Sequence, residues 1–168
     1  MTGAIVWFTG LPASGKTTLA ERLRARLSEH GRTAIVLDGD VMRGVLDARA
    51  YDGANRDAFY RTLGALAAVI AAQGAIVLVP ATAPRREHRD TARNSGPRFL
   101  EVWVDAPLAE CEARDFKQLY ARAHRGELAD VPGGGALFEP PEHPDVIAHG
   151  GHDEAVLASL EALLDQQS

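Results

Sequence analysis

The stretch Ala4-Ile5-Val6-Trp7-Phe8-Thr9-Gly10-Leu11-Pro12-Ala13-Ser14-Gly15-Lys16-Thr17-Thr18-Leu19 decides the fold. Ala4 to Phe8 is an apolar run of strand length. Residues 10–17 have the spacing GxxxxGK[ST], and Leu19, Leu23 and Leu27 then recur at helical intervals. Strand, glycine-rich loop and helix in that order make a phosphate cradle. Gly10 and Gly15 permit the tight turn that aims backbone N–H groups of Ala13, Ser14, Gly15 and the residues after them at an anion. The helix that follows adds the positive end of its dipole. Lys16 is expected to reach the β- and γ-phosphates of a nucleoside triphosphate. The hydroxyl of Thr17 is expected to sit on Mg²⁺, with Thr18 completing the cradle.

Working outward, apolar runs alternate with helical patterns. Lys16 to Glu29 reads as a helix ending near Gly31, and Ala34 to Leu37 as a second strand. Arg56 to Gln73 reads as a long helix closed by Gly74. Ala75 to Val79 reads as a third strand stopped by Pro80. A helix over Arg86 to Arg93, a strand over Phe99 to Val104 and a helix over Leu108 to Arg114 follow. Val146-Ile147 reads as a short last strand. Glu154 to Leu164 is a closing helix with Val156, Leu157, Leu160, Leu163 and Leu164 on one face. Strands this apolar are buried on both faces, as in a parallel sheet covered by helices. The expected fold is therefore α/β: a three-layer P-loop NTPase-type domain with a mainly parallel central sheet, one domain over 1–168. Ligands of such sheets sit at the carboxyl ends of the strands. Gly126 to Pro144, rich in Gly and Pro, is expected to be a lid or binding loop.

Composition narrows the function. A net charge of −5 over 168 residues argues against a general nucleic-acid binder. The single cysteine, Cys111, rules out an internal disulfide and a cysteine-rich zinc site. The first residues run directly into a strand pattern with no basic-then-apolar export signal, so a cytoplasmic location is expected. The clean apolar stretch from Ala65 to Ala72 is too short to span a bilayer, so no membrane partner is expected.

The second strand ends in Asp38-Gly39-Asp40, two carboxylates around a glycine turn. Beside a magnesium triphosphate, one can bind the metal's water shell and the other accept a proton from an attacking hydroxyl. Arg43 lies on the same helical face as Asp40 and can hold an anionic substrate. Val79 is followed by Pro80, so the Asp that many P-loop NTPases carry after that strand is missing, and magnesium falls to Asp38, Asp40 or metal-bound water. This speaks against a GTPase switch or a motor ATPase and for a small-molecule kinase, with Lys16, Asp38 and Asp40 as its catalytic groups.

These blocks, in this order, resemble the adenylylsulfate kinase (APS kinase) family over nearly the whole chain. The likeness rests on residues 10–18, Leu37-Asp38-Gly39-Asp40 with Arg43, Arg56, Ile76-Val77, and Pro84 with Arg86-Glu87 and Arg89. It continues through Glu101 to Leu108, Cys111-Glu112, Arg114-Asp115, Lys117, Leu119-Tyr120, Gly126-Glu127, Phe138 to Glu142 and Pro144-Asp145. The resemblance implies transfer of the γ-phosphoryl group of ATP, with Mg²⁺, to the 3′-hydroxyl of adenosine 5′-phosphosulfate (APS). It implies Asp40 as the base or hydroxyl-orienting group, Arg43 and Arg56 on the phosphosulfate, and Arg114 beside the ATP adenine. It places Tyr51 where the family has a Phe that stacks on the substrate adenine. Lys117 and the 126–144 loop would close over the sites. Phe59, Thr82, Ala83 and Phe138 fall at further acceptor-side positions. Relatives suggest a homodimer.

The departures fall mostly on the acceptor side. Phe59 stands where the family usually has Asn, and Gly44 replaces a usual His. Pro80-Ala81-Thr82-Ala83-Pro84-Arg85-Arg86 replaces a Ser-Phe-Ile-Ser-Pro-Tyr-Arg run, and Phe138-Glu139 a Tyr-Glu. The segment before Tyr51 is one residue short. A retuned pocket for a different small anionic or nucleotide-like alcohol is the second reading. Other signals are read as structural: His149-Gly150-Gly151-His152 as a solvated turn, His88 as part of a solvated helical face, Cys111 as a small core residue, and Trp7 and Trp103 as core. Arg22, Arg24 and Arg26 read as solubilising surface.

Overall fold

The computed structural model describes residues 3–48 and 52–166. Five strands, β1 (Ala4–Thr9), β2 (Ala34–Val36), β3 (Ile76–Pro80), β4 (Arg98–Val104) and β5 (Val146–Ala148), form one sheet in the order β2-β3-β1-β4-β5. All four pairings are parallel. The most apolar strand, β1, takes the centre and is buried along its whole length, where hydrophobic runs of this kind belong.

Side chains of a strand alternate between faces, and the two cores separate accordingly. Val6 and Phe8 point to α1 (Lys16–Glu29) and α7 (Glu154–Asp165), packing with Leu19, Leu23, Leu27, Leu157 and Leu160. Ile5 and Trp7 point the other way, to Phe59, Leu63 and Ala67 of α3 (Gly53–Ala71) and Ala92 of α4 (Arg86–Arg93). A third, smaller cluster joins Cys111 of α5 (Leu108–Arg114) and Tyr120 of α6 (Leu119–His124) to Ala106 and Val131, with Leu11 of the glycine-rich loop packed against it. The phosphate loop is thus braced from outside as well as from below.

Several boundaries differ from the sequence expectation. Pro80 belongs to β3 and is paired with Phe8. Ala81 N–H donates to Phe8 O at 3.1 Å, so the Pro80 nitrogen faces the side on which β2 has already ended, and no ladder bond is lost. The helix α3 starts at Gly53 rather than Arg56 because the Asp52 side chain accepts from Asn55 N–H. The short helix α2 (Gly39–Val45) is capped by Asp38, whose side chain accepts from Asp40 N–H and Val41 N–H. The six-residue α6, entered through Gln118 at φ 53°, has no counterpart in the sequence reading. Arg22 and Arg26 do more than solubilise: both pair with Glu154, and Arg26 also with Glu161, tying α1 to α7. None of the described helices is long and apolar enough to cross a membrane.

Candidate active site

The loops after the strand ends surround one cavity of about 1110 Å³. Sites for one drug-sized ligand run to roughly 300–1,000 Å³, so this cavity is larger than one such ligand needs. The strand order divides the wall. On the β1, β4 and β5 side lie Pro12 to Thr18, Arg114 and His149 to Asp153; on the β2 and β3 side lie Gly39, Asp40, Arg43, Arg56, Phe59, Tyr60, Pro80 to Thr82 and Pro84. Leu128 to Pro132 and Asp115 to Lys117 complete the rim.

The loop from Gly10 to Gly15 is held in a conformation with little use except around an anion. Ala13 has φ 60° and Gly15 φ 103°, and a non-glycine residue in the left-handed region costs of order 1 kcal/mol or more. A Cβ on Gly15 would stand 2.5 Å from Gly151 N, so the two glycine backbones touch. Ser14 Oγ is buried without a hydrogen-bond partner among the described residues, an orphaned donor in the wall of the cavity. Lys16, almost fully buried, donates to Gly10 O at 3.1 Å and Leu11 O at 2.7 Å. Burial lowers its pKa to about 8, against the opposing pull of Asp40, Cys111 and Asp38. Arg114 reaches Ala13 O at 3.4 Å and pairs with Glu110 at 2.8 Å.

Thr17 Oγ1 donates to Asp38 Oδ2 at 2.6 Å. A hydroxyl and a carboxylate at the mouth of the phosphate loop are hard oxygen donors of the type magnesium takes. Asp40 faces the cavity one helical step on, ion-paired with Lys117 across the opening, both side chains more than half exposed. Arg43 is buried; it donates to Ala48 O at 3.0 Å, and its guanidinium lies 4.0 Å over the ring of Phe59. Phe59 therefore presents a flat seat for a cation. Arg56 donates to Asp130 O at 2.7 Å and links α3 to the 126–144 segment.

Not every expected residue reaches the cavity. Gly10 and Asp38 are not among the residues that line it, although Lys16 donates to Gly10 O and Thr17 to Asp38 Oδ2. Ala83 is completely buried at φ 42°, and half-buried Phe138 sits beyond the rim; neither side chain lines the space. Tyr51 lies outside the described residues. The far end of the 126–144 segment is fastened down: Glu139 N–H donates to Pro84 O at 2.7 Å, and Arg86 N–H to Glu139 Oε2 at 2.8 Å.

One reading of a histidine needs correction and another needs extending. His149 to His152 is a turn with both histidines exposed, as expected, but its two glycines are buried against the phosphate loop and the histidines line the cavity. Nothing in local spacing signals a contact made only when β5 docks beside β4. His88 is buried rather than solvated. It stacks on Tyr60 with ring centres 4.7 Å apart and meets Asp57 Oδ1 through Nε2 at 2.7 Å. Burial holds its pKa below the ordinary value, partly offset by Asp57. Among the described residues, Asp57, Glu87 and His88 form the one trio spaced to hold a metal, but Arg85 already pairs with both carboxylates.

Comparison with known proteins agrees with this geometry. The family model described as adenylylsulphate kinase matches residues 2–149. The adenylyl-sulfate kinase of Paraburkholderia xenovorans (strain LB400) is 46% identical over 147 residues, covering 86% of this chain and 82% of the relative. That of Chloroflexus aurantiacus is 45% identical, covering 98% and 86%. Among solved structures, the Mycobacterium tuberculosis APS kinase CysC in complex with AMPPNP and APS superposes with a TM-score of 0.87 at 38% identity, covering 99% of both chains.

Proposed function

This chain belongs to the adenylylsulphate kinase family, and we infer from that membership, together with the two-sided cavity, that it transfers the γ-phosphoryl group of ATP to the 3′-hydroxyl of APS. The products are ADP and 3′-phosphoadenosine 5′-phosphosulfate. The observation that carries the reading is one cavity with a phosphate cradle on one side and an aspartate with two arginines on the other.

In this reaction the 3′-oxygen bonds to the γ-phosphorus, the bond from that phosphorus to the β,γ-bridging oxygen breaks, and the hydroxyl proton passes to a carboxylate. The chemistry asks mainly for positioning and charge neutralisation. We assign the triphosphate to residues 13–18, where Lys16 exchanges two loop carbonyls for phosphate oxygens. Arg114 and the 149–153 turn flank the donor base. Asp40 takes the hydroxyl proton, and Arg43 and Arg56 balance the charge of the phosphosulfate. Phe59 and Thr82 shape the acceptor wall. Magnesium, when bound, neutralises the β- and γ-phosphates; Thr17 and Asp38 are suited to hold it or its water shell. Lys117 and the near half of 126–144 form the lid that shields the phosphoryl group from water. Catalysis belongs in the cytoplasm, where ATP is at hand. A homodimer belongs to the same reading on the family likeness, and light scattering distinguishes one chain from two.

The test is ADP release from ATP and magnesium with and without APS, beside a panel of other phosphorylated or nucleotide-like alcohols. APS should stimulate turnover above every other acceptor. Stimulation by another alcohol and not by APS contradicts the assignment.

A further inference from the structure

The most completely enclosed charge among the described residues lies outside the cavity. Arg89 of α4 is 1% exposed, and its guanidinium is spread over four separate segments. Nε lies 2.7 Å from Glu101 Oε1 of β4, an ion pair without the angle of a hydrogen bond. Nη1 donates to Ala83 O at 2.6 Å and to Thr9 Oγ1 at 3.4 Å. Nη2 donates to Glu139 O at 3.0 Å. Glu101, itself buried, also pairs with Arg93.

Three of these contacts, to Thr9, Ala83 and Glu139, lead to the acceptor half. Thr9 Oγ1 donates onward to Thr82 O at 2.7 Å, and Thr82 lines the cavity. Ala83 holds φ 42° in a fully buried site, a conformation that L-residues avoid and that persists only where the surroundings enforce it. Its carbonyl is the one Arg89 grips most closely. Glu139 closes the circuit: its N–H donates to Pro84 O, so the anchored end of the 126–144 segment and the strained turn are held by the same guanidinium.

We propose that Arg89 is a positioning residue that sets acceptor affinity by pinning the Thr82–Pro84 turn and the end of the 126–144 segment in register. This rests on the reading of the β2 and β3 side as the acceptor site. An arginine suits the task because its planar fork serves a carboxylate and two carbonyls in fixed directions; an ammonium at the same place keeps the charge opposite Glu101 but cannot span them. On the donor side the network touches Thr9, which immediately precedes the phosphate loop, and Glu101 of β4, which does not line the cavity.

The test is steady-state kinetics of Arg89→Lys, Thr9→Val and Thr9→Ser, with melting temperature and ADP binding measured alongside. Arg89→Lys should raise KM for APS by roughly tenfold or more while KM for ATP and ADP affinity stay within about twofold. Thr9→Val, which cuts the link to Thr82, should move KM for APS in the same direction, and Thr9→Ser, which keeps the hydroxyl, should restore it. If Arg89→Lys does not fold, the Thr9 pair decides. Equal rises in both KM values, or a Thr9→Val enzyme indistinguishable from wild type, overturns the proposal. If the wild-type protein shows no turnover dependent on APS, the functional reading fails first and the proposal falls with it.

Discussion

Thr17 and Asp38 are joined by a 2.6 Å hydrogen bond across 21 positions of sequence. The bond links the first turn of α1, behind the phosphate loop, to the residue that caps α2 and so places Asp40. The phosphate loop and Asp40 are thereby set relative to one another through two side chains.

Thr17→Val should therefore lower kcat by about 10–100-fold and move half-saturation to higher magnesium concentration, the usual loss when a metal's surroundings are altered. Thr17→Ser should keep most of the activity. A magnesium titration of ADP release checks this; an unchanged magnesium dependence contradicts the assignment.

Asp40→Asn should cut kcat by roughly 10²–10⁴-fold, the range for losing a proton acceptor, with ADP affinity nearly unchanged. Its partner Lys117 forms an exposed pair, so Lys117→Ala should alter stability by only about 0–1 kcal/mol. Single-turnover kinetics and a binding titration separate the two effects. Equal losses in binding and turnover for Asp40→Asn would remove it from the chemical step.

Lys16 should make nucleotide binding depend on pH. In the free protein its pKa lies at about 8, chiefly because burial strips water from the ammonium. Below that pH the group is charged; above it the group is neutral, and a polyphosphate must recapture a proton to use it. ADP affinity should thus be flat near pH 7 and weaken as pH rises through 8 to 9, with proton uptake on binding in that window. Calorimetry in buffers of different ionisation enthalpy measures the uptake, and Lys16→Met should abolish it. Affinity independent of pH from 7 to 9 contradicts the assignment.

Gly151 tests the closeness of the two loops. An added Cβ would meet Thr18 Cβ at 2.8 Å and Gly15 O at 3.0 Å. Overpacking of this kind costs typically 1–3 kcal/mol. Gly151→Ala should weaken ADP binding by roughly tenfold without preventing folding, as read by calorimetry beside a melting curve. Unaltered binding would mean that the phosphate loop does not depend on this contact.

What could be read from the chain was mostly what lies close together along it. Residues 10–18 announce a phosphate cradle because loop, lysine and helix are consecutive, and Asp38-Gly39-Asp40 announces paired acids for the same reason. The apolar runs gave the layers and the parallel sheet. Contacts made by docking were not legible. His149 to His152 reaches the cavity only because β5 lies beside β4, and His88 is buried only because Asp57 and Tyr60 of α3 face it. The family likeness puts Ala83 on the acceptor side, yet it has a left-handed backbone and is buried in the core. Arg89 stands out only as one residue of the family likeness; its contacts depend on four segments that meet only in the folded protein.

The central claim is a phosphoryl group carried from ATP to the 3′-oxygen of APS across this cavity. The most direct measurement is ³¹P NMR of the reaction with ATP, magnesium and APS, run beside Lys16→Ala. The wild-type protein should build one new phosphomonoester at the 3′ position in step with ADP, and the variant none. ADP accumulating with free phosphate and no 3′-phosphoester, while the protein binds nucleotide, would contradict the account.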